Sequence, residues 1–267
     1  MQRIFEKYKD ACDFSVYAYC QEGVLFSFNE HKIQDGACVL KVFIMLEFFR
    51  QVYLGDIHED DLLEVTEENA ATGAGIVKFL SYGMKVSSID LVELMVSISD
   101  HMAANLLIEY LGIDKINKTI IDYGFTQTKL LKKYLVPREN HVGETSAYDY
   151  ARFFEMLDHD LFFDGAYCEK MRKILGGQRY KDFLAEPLSF YDEYIDMESK
   201  TGKVDGKTFN VPANSCMNDG GICITTRGKY YIAFLSEIHH DATVELETIK
   251  RIMHLTSKEI MERYLLG

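Results

Sequence analysis

The chain has 267 residues and a formal net charge of −13, with 29 Lys and Arg against 42 Asp and Glu. That length buries a substantial core without covalent staples, and scattered acidity argues against nucleic acid as a partner, because phosphate contacts need a basic surface. No apolar run approaches the roughly 18 residues of a membrane-spanning helix, so no membrane association is expected.

The six cysteines (Cys12, Cys20, Cys38, Cys168, Cys216, Cys223) show no CxxC spacing and no zinc-type Cys/His cluster. They read as free thiols in a reducing compartment, with neither a metal nor a cofactor implied. Residues 2–8 are charged and amphipathic and lack the apolar centre of a signal peptide, which makes a cytoplasmic location the expectation.

In chain order, residues 2–11 read as a helix, and 13–20 as an aromatic, β-branched strand that turns at Gln21-Glu22-Gly23 into a second strand over 24–28. Residues 36–49 are apolar on every face, which marks a core helix rather than a surface one. Cys38 and Lys41 open it three residues apart, on one face. A helix N-terminus and a nearby ammonium both favour a thiolate, although by itself the pair equally reads as a small buried Cys with an outward-snorkelling Lys.

The acidic run 56–61 reads as a solvated loop, since nothing spaces it as an EF-hand. The small-residue bend at Gly73-Ala74-Gly75 lacks the ending and the preceding strand of a phosphate loop. Ser88 is the expected cap of a helix that breaks at Ser99-Asp100-His101 and resumes to Gly112; taken alone the break is a capping turn. Further helices are expected over 114–123, 146–157 and 166–176, then a strand leading to Lys200-Thr201-Gly202, a hairpin over 221–236 and a final helix over 244–264. The implied fold is α/β of the α+β, three-layer kind. One antiparallel sheet is drawn from both chain termini and flanked by helices (residues 1–37 and 181–267), and an all-helical lobe (38–180) is inserted into this single domain. A cleft between lobes is a common ligand site.

Three short motifs now stand in order: Cys38-Val39-Leu40-Lys41, Ser99-Asp100-His101 and Lys200-Thr201-Gly202. Together they resemble the S-x-x-K, S-D-N and K-T-G set of class A β-lactamases and penicillin-binding proteins, with Cys in place of the nucleophilic Ser. The stretches 73–107 and 145–147 and the pair Asn218-Asp219 are also similar to that family, so the resemblance covers nearly the whole chain.

The resemblance implies a β-lactamase-like acyl hydrolase that works through a thioester at Cys38 on a small acyl substrate, whether a β-lactam, a peptide or an ester. By similarity Lys41 activates the nucleophile and Ser99 shuttles a proton to the leaving nitrogen. Lys200, Thr201 and Gly202 hold substrate, and the backbone N–H of Cys38 and one after Gly202 form the oxyanion hole. His101 stands where the family places a substrate-contacting Asn, and its ring is able to bond Lys41 or polarise Cys38 instead. The family's deacylating Glu sits in an E-x-x-L-N setting that is not met here: Glu139 is the first candidate for activating water, and Glu144 the second. The alternative is a catalytically silent relative that binds an acyl or peptide ligand.

Overall fold

The computed structural model describes residues 1–134, 141–208 and 213–266. A short helix α1 (Gln2–Tyr8) precedes strands β1 (Cys12–Cys20), β2 (Gly23–Phe28) and β3 (Gln34–Asp35). One turn of 3₁₀ helix (Ala37–Leu40) then runs into α2 (Lys41–Leu54). Short strands β4 (Leu62–Glu64) and β5 (Lys85–Ser87) lead to α3 (Ser88–Ser97), α4 (His101–Leu111) and α5 (Ile113–Asp122). Strands β6 (Lys129–Leu130) and β7 (Gly143–Thr145) are followed by α6 (Ala147–Asp158) and α7 (Gly165–Gly176). The chain closes with β8 (Tyr194–Ser199), β9 (Gly202–Val204), β10 (Ser215–Thr225), β11 (Gly228–Ile238) and α8 (Leu246–Leu266).

The main sheet runs β2-β1-β11-β10-β8, with β9 beside the other end of β10, and each of these pairings is antiparallel. Successive strand residues point to opposite faces, and here both faces are covered. Phe14, Val16 and Ala18 of β1 and Tyr230, Ile232 and Phe234 of β11 pack with Phe5 of α1 and Ile249, Met253 and Ile260 of α8. Their alternates Tyr19, Tyr231, Ala233 and Leu235 join a second cluster with the helices that precede β8. Helix, sheet and helix therefore form three layers, as expected.

Helix α2 is the centre of that second cluster. Val42, Phe43, Ile44, Met45, Leu46, Phe48 and Phe49 are all buried, and the helix packs against α3, α4, α5 and α7. The apolar reading passes over Glu47, whose carboxylate is fully buried in mid-helix. It accepts from Arg50 Nε at 2.6 Å, Gln51 Nε2 at 2.6 Å and Thr119 Oγ1 at 2.6 Å. A buried carboxylate is tolerated only when paired and bonded in this way.

Several bounds differ from expectation, each with a local cause. The core helix does not begin at residue 36: Ala37 has a left-handed φ of 44°, and residues 37–40 form the tighter 3₁₀ turn before α2 starts at Lys41. Ser87, not Ser88, caps α3, its Oγ accepting from Asp90 N at 3.3 Å, while the Ser88 hydroxyl donates to the carbonyls of His58 and Glu59. The hairpin begins at Ser215, because the first residues of β10 pair with β9 as well as with β11.

Replacing Glu47 by Ala strands the Arg50 guanidinium, itself only 27% exposed. The expected loss is about 3 kcal/mol of unfolding free energy, read as a lower urea midpoint at unchanged slope; a loss under about 1 kcal/mol would show that the pair behaves as a surface one.

Candidate active site

The site starts at the 3₁₀ turn. In such a turn residues three apart eclipse one another, so Cys38 and Lys41 stand on one side, more tightly than in an α-helix. The turn is held from both ends: Ala37 N donates to Asp35 Oδ1 at 2.8 Å, and the Tyr134 hydroxyl donates to Ala37 O at 3.1 Å. Cys38 Sγ then lies 3.3 Å from His101 Nε2.

The second segment is the break between α3 and α4. Ser99 takes a left-handed φ of 58°, a strained position for a residue with a Cβ. Lys41 Nζ donates to Ser99 O at 2.7 Å and to its Oγ at 3.2 Å. Asp100 caps α4 by accepting from Ala103 N at 3.0 Å, and its other oxygen accepts from Ile76 N at 2.6 Å and Val77 N at 2.9 Å. The bend at 73–77 therefore wraps a carboxylate. Gly75 is required there, since its φ is 110° and a Cβ would come 2.2 Å from Asp100 Cγ. His101 opens α4, and its Nδ1 lies 2.9 Å from Thr72 O. A carbonyl only accepts, so Nδ1 carries the proton and Nε2 is the atom turned to sulfur.

The third segment crosses the sheet edge. Lys200 N donates to Gly220 O at 3.0 Å and the Tyr150 hydroxyl donates to Lys200 O, which fixes the backbone between β8 and β9. Lys200 Nζ donates to Ser99 Oγ at 3.1 Å and Thr201 O at 2.7 Å. At Gly202 a Cβ would come 3.0 Å from Cys38 N, so glycine lets β9 pass against the first turn.

Charge follows from this geometry. Burial alone would raise the Cys38 thiol, but Lys41, the bonded His101 and Lys200 outweigh it and hold the thiol well below its usual range. Lys41 is lowered by desolvation, partly offset by attraction to Cys38 and Asp100. Lys200 is lowered to about 7, chiefly by desolvation, with Cys38 and Asp219 opposing it and Lys41 adding to it. The other five thiols move the opposite way, since burial raises each of them, Cys12 and Cys223 to about 12. Burial, reinforced by Cys38 and Asp35, pushes the Tyr134 phenol well above its usual range, so it acts as a neutral donor.

A cleft of about 440 Å³ opens over this cluster. Cys38, Ser99, His101 and Thr201 line it, facing Phe183 and Lys203. Lys41 and Lys200 are fully buried and reach the site only through their ammonium groups. Glu139 lies outside the described residues. Glu144 belongs to β7, opposite Lys129 and Asp35, and lines a separate hollow with Asn117 and Lys129 rather than this cleft. Among the described residues no His, Cys, Asp and Glu cluster is arranged to hold a metal.

Three participants escaped sequence reasoning. Tyr134 stacks on His101, ring centroids 5.5 Å apart and planes 20° apart, and lies under Lys41 Nζ at 4.6 Å. Asn105 places it, accepting from Tyr134 N at 2.7 Å and donating to Tyr134 O at 3.1 Å. Thr72 enters only through its carbonyl. No local spacing marks Tyr134 among 17 tyrosines, and a backbone carbonyl leaves no trace in side-chain text.

Comparison with solved structures places the fold. A β-lactamase from Sphaerobacter thermophilus superposes with a TM-score of 0.87 at 21% identity, over 100% of this chain and 97% of that one. The protein described as PBP-A gives 0.87 at 17% identity, over 100% and 96%. A class A β-lactamase representative from Bacteroides cellulosilyticus gives 0.83 at 21%, over 100% and 97%. No curated protein is significantly similar to the chain. A family model described as the beta-lactamase enzyme family matches residues 1–262, and the chain therefore belongs to that family.

Proposed function

We propose that this β-lactamase-like hydrolase acts by acyl transfer to Cys38, with Lys41, Ser99 and Lys200 as its proton and charge network. The observation that carries the reading is convergence. Three segments distant in sequence meet at Ser99 Oγ, which lies 3.2 Å from Lys41 Nζ and 3.1 Å from Lys200 Nζ beside the Cys38 thiol.

An ordinary thiol is only a few per cent ionised at pH 7. The three cationic groups around Cys38 favour the thiolate without a dedicated base. The thiolate attacks the acyl carbon of the substrate, and the bond to the leaving nitrogen or oxygen breaks as the thioester forms. Ser99 Oγ accepts from both ammonium groups, which leaves its own O–H to donate into the cleft. That proton goes to the leaving atom and is replenished from the cations behind it. The N–H of Cys38 and the backbone of β9 flank the position of the developing oxyanion, where one donor is worth about 3 kcal/mol. Lys200 and Thr201 receive a substrate carboxylate. With Glu144 away from the cleft, the family's usual carboxylate route to hydrolysis finds no support among the described residues. Persistence of the acyl form, as in a penicillin-binding protein, is the accompanying expectation for β-lactams.

Incubation with a panel of β-lactams and activated esters is expected to add one acyl mass to the intact protein, and Cys38→Ala to abolish it; an adduct surviving in Cys38→Ala refutes the nucleophile. Iodoacetamide is expected to label Cys38 first, at a rate that depends on pH less steeply than for the other five thiols, since an ordinary thiol gains about tenfold per unit below its pKa. A third outcome concerns Lys200, protonated below about 7 and neutral above it. KM for a carboxylate-bearing β-lactam should rise as pH passes that value, while KM for the uncharged p-nitrophenyl acetate stays level.

A further inference from the structure

We propose that His101 is a catalytic residue of this site, the general base that activates water to hydrolyse the Cys38 thioester. The inference rests on the assignment of Cys38 as nucleophile and supplies the water-activating step that Glu144, in a separate hollow, does not.

Geometry singles out the imidazole. Its Nδ1–H is fixed on Thr72 O at 2.9 Å, its backbone N–H donates to Ala74 O at 3.2 Å, and Tyr134 stacks on its ring. Orientation is thus set by three contacts that do not involve sulfur. Nε2 faces Sγ at 3.3 Å and borders the cleft, where water arrives. A water bonded to Nε2 would sit within reach of an acyl carbon attached to that sulfur. The other candidates among the described residues have partners or positions of their own, Asp205 at the cleft wall accepting from Lys207 N at 3.1 Å. Lys41 and Lys200 are fully buried and bonded to Ser99, Asp182 is paired with Lys250 at 3.1 Å, and Glu144 faces another hollow.

The cycle balances. Acylation converts the thiolate to a neutral thioester and passes one proton through Ser99 to the leaving atom; the His101 imidazolium makes that proton good to the lysine cluster by giving up its Nε2 proton, so the imidazole stands neutral with its Nε2 lone pair free. Nε2 takes a proton from water as the water oxygen bonds to the acyl carbon. The C–S bond breaks, its electron pair returns to sulfur, and the carboxylic acid product leaves. Thiolate and imidazolium are restored side by side. The titratable groups in contact with the ring are Cys38, 3.3 Å from Nε2, and Tyr134 on its face, while Lys41 and Lys200 act on the same sulfur. Of these only sulfur changes charge on acylation.

The test uses p-nitrophenyl acetate to acetylate the protein, rapid desalting, and intact mass to follow loss of the acetyl group. Once sulfur is esterified, stabilisation of the thiolate no longer enters, so this decay distinguishes a base from a residue that only polarises Cys38. The expected result is a wild-type decay that rises with pH and levels off as the imidazole deprotonates. In His101→Asn and His101→Gln decay slows about a hundredfold or more, and added imidazole partly restores it. Selective iodoacetamide labelling of Cys38 in each variant reports that the site is still folded. Decay in both variants at the wild-type rate overturns the base and leaves the nucleophile standing, as does a wild-type acetyl form that never decays. Absence of any acetyl group on Cys38 in the wild type overturns the nucleophile and this inference together.

Discussion

Two lysine ammonium groups, Lys41 and Lys200, are buried with no carboxylate bonded to either among the described residues, and the site depends on how that charge is balanced. Unpaired buried cations are costly. Lys41 finds oxygen acceptors on Ser99, Lys200 on Ser99 and Thr201, and each is attracted to Cys38. The Cys38 sulfur therefore has a role besides the one proposed for it in catalysis: as a thiolate it is a counter-charge for the two buried lysines. Desolvation still lowers both lysines. Lys200, lowered to about 7, sits close to the point of proton exchange near neutral pH, where a proton relay works best. On the proposed mechanism one arrangement thus serves stability and reactivity together, because the anion that balances the cations is also the nucleophile.

The surrounding fold makes that balance rigid. α2 is enclosed by other helices and carries Lys41 at its first residue, so the ammonium position is set by the core and not by a loop. β8 and β9 bring Lys200 along the edge of the sheet, with Ser199 opposite Gly221 and Gly202 opposite Asn218. Between them Ala37 and Ser99 both hold left-handed backbone conformations. Strain of this kind persists where neighbours over-determine it. Here Tyr134 and Asp35 hold the first position, and the Lys41 bond to Ser99 O holds the second.

Much of the architecture was legible because periodicity reports burial. The period-2 text of β1 and β11 and the all-round apolar run of α2 each have one solution in a layered fold. The three motifs were legible as text, and the structure brings Lys41, Ser99 and Lys200 within bonding distance. What stayed hidden shares a physical character. Glu47 was passed over because a single acid in an apolar helix looks like noise until Arg50, Gln51 and Thr119 are seen around it. The 3₁₀ start of the core helix depends on the backbone of Ala37, a residue whose type carries no such preference. Tyr134 and Thr72 contribute a stacking face and a carbonyl, and neither leaves a spacing to be read.

The bend at residues 73–77 joins these points. Its glycines suggest an anion cradle, and an anion is what the bend holds, but the anion is the chain's own Asp100. With Asp100 anchored from the 76–77 backbone and capping α4 at once, the adjoining residues are fixed relative to that helix. The carbonyls of Thr72 and Ala74 then fall on the side chain and backbone N–H of His101. A family position that carries Asn offers an amide with no basic nitrogen. Histidine at this place, its Nδ1 held by Thr72 O and its ring flat against Tyr134, turns Nε2 to Cys38 Sγ. On the proposed cycle, Cys at residue 38 and His at residue 101 therefore belong together: the imidazole that gives up a proton when the thiolate is acylated is the group placed to take one back from water.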